Sequence, residues 1–131
     1  MKNLDYITKL TPAIKDYIWG GDRLITEWGK KTNLARAAES WELSVNPNGE
    51  SVITDGALAG MKLSEACDVK HFPILVKLID AKEKLSIQVH PGDTYAERVE
   101  NSKGKTEMWY IVDAQPGAGV LLGFNRNVTE V

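Results

Sequence analysis

Apolar and polar residues alternate strictly between residues 85 and 90. The odd positions are apolar, and the even positions carry a hydroxyl, an amide and an imidazole, in the order Ser86, Gln88 and His90. Because successive side chains of a β-strand point to opposite faces, this alternation predicts a half-buried strand. We expect its apolar face to pack and its polar face to form the wall of a cavity.

Short strand-like patterns separated by turn residues continue along the rest of the chain. Residues 40–45 alternate and are followed by the turn signal Asn-Pro-Asn-Gly, so residues 40–54 are predicted to form a β-hairpin. Further strands are predicted at residues 72–80, 107–113 and 120–124, and short helices at residues 61–69 and from Thr94 onward. Regular short strands of this kind indicate a mainly β sandwich or barrel with small helical insertions.

Composition narrows the class of protein further. The 131 residues carry a net charge of −2, which gives no reason to expect nucleic acid or a membrane surface as a partner. The single cysteine, Cys67, excludes an internal disulfide and fits a reducing compartment. No signal-peptide pattern opens the chain, and no apolar run approaches the roughly 20 residues that span a bilayer. We therefore expect a cytoplasmic protein.

Gln88, His90 and Glu107 are candidate metal ligands. Imidazole and carboxylate groups bind zinc and other divalent transition metals well, whereas a glutamine amide oxygen is a weaker ligand. Three such groups would leave coordination positions open for a substrate or water, as a catalytic site requires. The alternative is that all three are polar surface side chains. Residue types alone favour that alternative, because closed zinc motifs use Cys and His at tight spacing.

Two further side chains near these candidates can serve a substrate. Lys105 lies two residues before Glu107, and a cation there would bind an anionic group or stabilise a developing oxyanion. A solvated loop lysine is the alternative interpretation. Ser86 either hydrogen-bonds a ligand or lies on the strand without a role, since no His–Asp pair supports it as a nucleophile.

The remaining candidates are aromatic residues and one histidine. Tryptophan faces pack on sugars, so Trp19, Trp41 and Trp109 are candidates for a sugar site. Tryptophan is more often found in a core with its indole N–H bonded, and this is the interpretation preferred for Trp41. His71 precedes a predicted buried strand and is interpreted as a boundary residue rather than a ligand.

Several segments resemble type I mannose-6-phosphate isomerase (phosphomannose isomerase), in its bacterial short form. The most specific are Leu-Ser-Ile-Gln-Val-His-Pro at residues 85–91 and Gly-Lys-Thr-Glu-Met-Trp-Tyr at residues 104–110. Residues 77–81 match as well. Matches of lower specificity follow the same order along the chain, at residues 17–21, 39–42 and 116–118. The resemblance covers nearly the whole sequence.

The resemblance implies a cupin, a double-stranded β-helix or jelly roll that holds one zinc ion in the barrel. Three of the four protein ligands would be Gln88, His90 and Glu107. The substrate site would contain Trp19, Ser86 and Lys105, of which the last two would also be catalytic. The implied reaction interconverts mannose 6-phosphate and fructose 6-phosphate, and moves a proton between C2 and C1 through a cis-enediol.

The chain also departs from the family pattern. The family's fourth ligand is a histidine downstream of the glutamate, but no histidine follows Glu107, and Arg126 is too close to act as the family's catalytic arginine. We therefore expect residues 1–131 to form a single cupin-type domain, truncated at its C-terminus, that lacks the fourth zinc ligand. Such an incomplete domain would expose inner barrel surface, and would self-associate or pair with a complementary C-terminal chain.

Two other functions stay open beside the isomerase. One is a catalytically silent cupin module that binds a sugar or a metal. The other is an assembly fragment that works only with a complementary chain.

Overall fold

The computed structural model describes residues 6–128, whose architecture is mainly β with few and short helices. This confirms the predicted fold class at that level. The chain divides into two units, Met1–Leu85 and Ser86–Val131. Within residues 6–128, no helix has both the length and the apolar character that a membrane crossing requires.

The strands of the first unit form two antiparallel sheets. The larger sheet has the order β2–β3–β5, with β2 at Ala13–Lys15, β3 at Glu39–Leu43 and β5 at Val76–Ile79. The smaller sheet pairs β1, at Leu10–Thr11, with β4, at Val52–Ile53. Both sheets therefore combine strands that are distant in sequence.

The predicted hairpin at residues 40–54 is wrong, although its turn is present. Gly49 N–H donates to the Asn46 carbonyl at 2.8 Å, and the turn closes as predicted. Beyond it, the buried Ser51 hydroxyl accepts a hydrogen bond from Ser44 N–H at 3.0 Å and donates to the Trp41 carbonyl at 3.2 Å. β3 lies between β2 and β5, so both of its edges are already paired, and β4 pairs with β1 instead.

Short helical segments lie between the strands of the first unit. Helix α1 covers Arg23–Thr26 and helix α2 covers Leu63–Ala66, with 3₁₀ turns at Gly56–Leu58 and Val69–His71. The helix predicted at residues 61–69 is thus confirmed in a shorter form. A buried cluster of Ile53, Leu58 and Ala66 packs these segments against the smaller sheet, with Leu10 and Met61 beside it.

Trp41 is buried on β3, as predicted from its residue type. Its indole N–H donates to Glu39 Oε2 at 2.7 Å, and Lys77 Nζ lies 3.0 Å from Glu39 Oε1. The buried carboxylate is therefore paired and hydrogen-bonded, which offsets its desolvation. The predicted buried strand at residues 72–80 is shorter and half-exposed, because Pro73 cannot donate to a ladder and β5 lies at the sheet edge.

Gly20 and Gly21 allow a close approach of backbone to neighbouring residues. A Cβ on Gly20 would lie 2.2 Å from the Ala38 Cβ, and one on Gly21 would lie 2.3 Å from Asp80 Oδ2. Asp80 Oδ2 also accepts a hydrogen bond at 2.8 Å from Arg23 N–H, at the start of α1. These glycines therefore serve packing within the first unit.

The second unit has less regular structure. Helix α3, at Asp93–Tyr95, continues as a π-helix at Ala96–Glu100, and Asn101 follows in the left-handed region with φ 50°. This confirms the predicted short helix in that region.

The strands predicted at residues 85–90, 107–113 and 120–124 are not formed within the part of the chain that the structure describes. A strand requires a hydrogen-bonded neighbour, and none of these segments has one there. The predicted packing of the apolar face is also wrong, since Ile87 is 77% and Val89 is 74% exposed. Without a neighbouring layer of structure, the apolar side chains of this segment have nothing to pack against.

Candidate functional site

His90 and Glu107 are in direct contact. Nε2 of His90 lies 2.8 Å from Oε2 of Glu107, and the two side chains are 25% and 24% exposed. They come from separate segments, before and after α3 and its π-helix. The two strongest candidate metal ligands in the sequence are therefore neighbours in the folded chain.

Lys105 adds a positive charge beside this pair. Its Nζ lies 3.6 Å from Oε1 of Glu107. Partial burial is the largest influence on the Glu107 carboxyl and raises its pKa. The charge of Lys105, the hydrogen bond and charge of His90, and a hydrogen bond from Trp109 together outweigh burial, so the pKa lies below its ordinary value. Glu107 is therefore an ionised acceptor at neutral pH.

Ser86 and Gln88 form a second pair. Nε2 of Gln88 donates to Oγ of Ser86 at 2.9 Å. This bond brings the two side chains to the same side of the segment, as the alternation predicts. Among residues 6–128, no direct bond joins Gln88 to His90 or Glu107, so the Ser86–Gln88 pair and the His90–Glu107 pair are separate.

The expectation that the polar side chains of residues 86, 88 and 90 form the wall of a cavity is wrong. Ser86 and Gln88 are exposed. A cavity of about 590 Å³ in this unit is lined instead by Val89, Pro91, Gly92, Tyr95 and Glu100. Val89 is the residue of this strand-like segment that lines the cavity. It is an odd-numbered position, whereas the polar side chains are at the even positions 86, 88 and 90.

The donors present fit a divalent transition metal in part. Among the described residues, no group of three or more His, Cys, Asp or Glu side chains converges on a common point. His90 and Glu107 supply an imidazole nitrogen and a carboxylate in contact, which are good donors for zinc. The amide of Gln88 is a third donor two residues from His90. A complete coordination shell requires additional donors.

Two other sequence candidates lie in the first unit. His71 ends a 3₁₀ turn, with Nδ1 2.7 Å from Asp68 Oδ2 and a largely exposed side chain, which agrees with its interpretation as a boundary residue. Trp19 stacks on Tyr17, with ring centroids 5.5 Å apart. The role of Trp19 near a substrate stays a prediction.

The structure also identifies partners that the sequence argument did not assign. Trp109 forms a hydrogen bond with the Glu107 carboxylate. Their spacing of two residues, which places both side chains on one face of an extended segment, could have indicated this contact. Asp93 accepts a hydrogen bond at 2.9 Å from Gly104 N–H, between the two halves of the site. No local pattern in the sequence indicated this second contact.

Comparison with known proteins now identifies the family. The family model described as phosphomannose isomerase type I, catalytic domain, matches residues 7–116. The match contains His90, Glu107 and the residues around them. The chain belongs to the type I phosphomannose isomerase family.

Individual relatives agree with this assignment. Mannose-6-phosphate isomerase ManA of Bacillus subtilis is 38% identical over 130 residues, covering 91% of this chain and 41% of that protein. Mannose-6-phosphate isomerase of Streptococcus mutans is 39% identical over 124 residues, covering 86% of this chain and 39% of that protein. The chain thus spans about two-fifths of the length of these curated relatives and matches their N-terminal portion.

A solved structure supports the fold. The crystal structure of mannose 6-phosphate isomerase from Bacillus subtilis aligns with a TM-score of 0.75 at 38% identity. The alignment covers 82% of this chain and 38% of that one.

Proposed function

We propose that this chain carries part of the active site of a zinc-dependent aldose–ketose isomerase that interconverts mannose 6-phosphate and fructose 6-phosphate. The observation that carries the proposal is the contact between His90 and Glu107, with Lys105 beside it. All three residues lie inside the region that matches the family's catalytic domain. Relatives at 38–39% identity are named mannose-6-phosphate isomerases, which supports the same substrates here.

The side chains have distinct roles in this proposal. Gln88, His90 and Glu107 hold one zinc ion, and the bound ion would offset negative charge that develops on the substrate during enediol formation. Lys105 is a fixed cation next to that charge, so it favours an anionic oxygen over a neutral one.

Ser86 and Trp19 have separate sugar-contacting roles in this proposal. The Ser86 hydroxyl, already bonded to Gln88, offers a hydrogen bond to a sugar hydroxyl. The Trp19 ring offers an apolar face to the C–H groups of the sugar.

Glu107 is a poor candidate for the base that moves the proton between C2 and C1. Its pKa is lowered, so its carboxylate binds a proton weakly at neutral pH. A general base works best with a pKa near the working pH. The base is therefore a group other than Glu107.

The proposed fold is a cupin jelly roll that is incomplete in this chain and requires further polypeptide. Many large apolar side chains of the second unit are exposed, namely Ile87, Val89, Val99, Met108, Tyr110, Ile111, Val112, Val120, Leu121, Leu122, Phe124 and Val128. A patch of this extent is typical of an interface. We propose that a complementary C-terminal chain, or a second copy, covers it, and that the former supplies the fourth ligand.

The proposed location is the cytoplasm, because the single Cys67 fits a reducing compartment.

A catalytically silent module that binds a sugar or a metal is the second candidate. The observation that favours it is the separation of the Ser86–Gln88 pair from the His90–Glu107 pair. Such a module would bind ligand without turnover.

The test is a coupled isomerase assay with excess zinc, in the presence of a polypeptide equivalent to the C-terminal part of Bacillus subtilis ManA. The sequence offers a matched pair of variants, because its two histidines are His71 and His90. We expect chelator-sensitive turnover that His90→Ala abolishes and His71→Ala retains. Turnover that survives His90→Ala would contradict the proposal, and sugar binding without turnover would favour the silent module.

A further inference from the structure

The loop of residues 91–105 leaves the site after His90 and returns to it before Glu107. Two hydrogen bonds close its base. Lys105 N–H donates to the Pro91 carbonyl at 3.3 Å, and Gly104 N–H donates to Asp93 Oδ1 at 2.9 Å. The loop's ends are therefore joined directly next to the two residues that make up the candidate ligand pair.

Gly104 is required at this closure for steric reasons. A Cβ at this position would lie 2.7 Å from each of three backbone atoms, the Pro91 oxygen, the Gly92 carbonyl carbon and the Asp93 nitrogen. Backbone atoms cannot rotate away as the end of a flexible side chain can. Any larger residue would therefore push the two ends of the loop apart.

Asp93 reinforces the closure from the start of α3. It begins α3, so the helix fixes its backbone, and its carboxylate reaches across to the Gly104 amide. What the closure requires of this side chain is an acceptor oxygen, which an asparagine amide would also provide. Asp93 lies three residues after His90, and Gly104 lies three residues before Glu107. A change in the distance between Asp93 and Gly104 therefore reaches His90 and Glu107 over a short length of chain.

We propose that Asp93 and Gly104 form a clamp that holds His90 in register with Glu107 and thereby sets the affinity of the pair for a divalent metal. Asp93 is a positioning residue, since its contact is with the Gly104 backbone and not with either side chain of the pair. The inference rests on the proposed function in one respect, because it takes the pair as metal-ligating.

The test compares Asp93→Asn, Asp93→Ala and Gly104→Ala with the unchanged chain. The asparagine keeps an acceptor oxygen in the same position, whereas alanine removes it. Glu97→Ala is the control, because Glu97 is an exposed acid in the same loop, on the π-helix. Two quantities are measured for each variant, the affinity for Co²⁺ from its visible absorption and the amide hydrogen exchange of residues 86–91 and 104–109.

We expect Asp93→Ala and Gly104→Ala to weaken Co²⁺ binding by about 10- to 100-fold, the usual range for residues that orient metal ligands. The same variants should speed exchange in both segments. Asp93→Asn should stay close to the unchanged chain in both measurements, and Glu97→Ala should match it.

Two results would overturn the clamp. One is unchanged affinity and exchange in Asp93→Ala, and the other is an Asp93→Asn variant as impaired as Asp93→Ala. If Gly104→Ala fails to fold, the Asp93 pair still decides between these outcomes. If the unchanged chain alone does not bind Co²⁺, the affinities are measured with the C-terminal polypeptide of the isomerase assay present. A failure to bind there would count against the proposed function, while the exchange rates would still test the clamp.

Discussion

The two units of this chain treat their apolar residues in opposite ways. The first unit buries Leu24, Trp41, Ile53, Leu58 and Leu63 among two small sheets. Within residues 86–128, Ala96 is the only buried apolar residue, although strand-like apolar segments are frequent there. The difference shows that an alternating sequence becomes a strand only when another segment is available to pair with it.

The two units also differ in how many candidate site residues they contain. The well-packed first unit contains the one candidate substrate residue Trp19, whereas the exposed second unit contains all three candidate ligands together with Ser86 and Lys105. The candidate catalytic residues therefore lie in the unit with the weaker packing. We expect this unit to depend on additional contacts for its final geometry.

The largest expected effect is on catalysis, which should depend on contacts that further polypeptide makes with the second unit. We expect the chain alone to show little or no turnover of mannose 6-phosphate in excess zinc. A polypeptide equivalent to the C-terminal part of Bacillus subtilis ManA should raise turnover by more than about 100-fold, since positioning groups contribute orders of magnitude to rate. The measurement is a coupled assay with a chelated control. Robust, chelator-sensitive turnover by the chain alone would contradict this prediction.

The next effect compares packing in the two units. Ile53→Ala removes a fully buried side chain from the core of the first unit and should lower the free energy of unfolding by about 2–5 kcal/mol. Leu122→Ala, at a residue 95% exposed, should change it by no more than about 0.5 kcal/mol. Urea denaturation of both variants checks the contrast. Equal losses would show that Leu122 is packed in solution.

A pH titration should separate the units further. The pKa of Glu107 is lower in the folded chain than its ordinary value of 4.5, so its contribution to stability is present above pH 4.5. That contribution is lost as the pH falls through the lowered folded pKa. We expect the protection of the amides in residues 86–109, measured against their intrinsic exchange rates, to fall below pH 4.5, and Glu107→Gln to reduce this acid-dependent change. An acid response in Glu107→Gln identical to that of the unchanged chain would show that Glu107 is not the group responsible.

The smallest effect concerns Cys67 in the first unit. Burial, and secondarily the charge of Asp68, raise the pKa of its thiol, and Sγ donates to the Leu63 carbonyl at 3.1 Å. We expect alkylation at neutral pH to be a few-fold slower than for an unstructured cysteine peptide, because less thiolate is present. Alkylation in denaturant provides the control. Equal rates in the folded and denatured chain would show that this region opens readily.

Local features of the fold and site were predictable where they depend on neighbouring residues. The side-chain bond between Ser86 and Gln88 follows from a spacing of two, and the turn at residues 46–49 follows from its Asn-Pro-Asn-Gly sequence. The burial of Trp41 with a bonded indole N–H also follows from its residue type.

Features that depend on distant partners were not predictable in the same way. The hairpin failed because β2 and β5, which are distant in sequence, occupy both edges of β3, so β4 pairs with β1. The clamp between Asp93 and Gly104 joins residues eleven apart and has no periodic signal. The contact of His90 with Glu107 was anticipated through the family resemblance, and not from their spacing along the chain.

The buried hydroxyl of Ser51 also has a consequence for how the core tolerates substitution. It accepts a hydrogen bond from the N–H of Ser44 and donates one to the carbonyl of Trp41, in a region closed to water. A buried polar group that loses its partner costs about 1–3 kcal/mol. The replacement of Ser51 by alanine would therefore destabilise the first unit, although it removes a single oxygen atom.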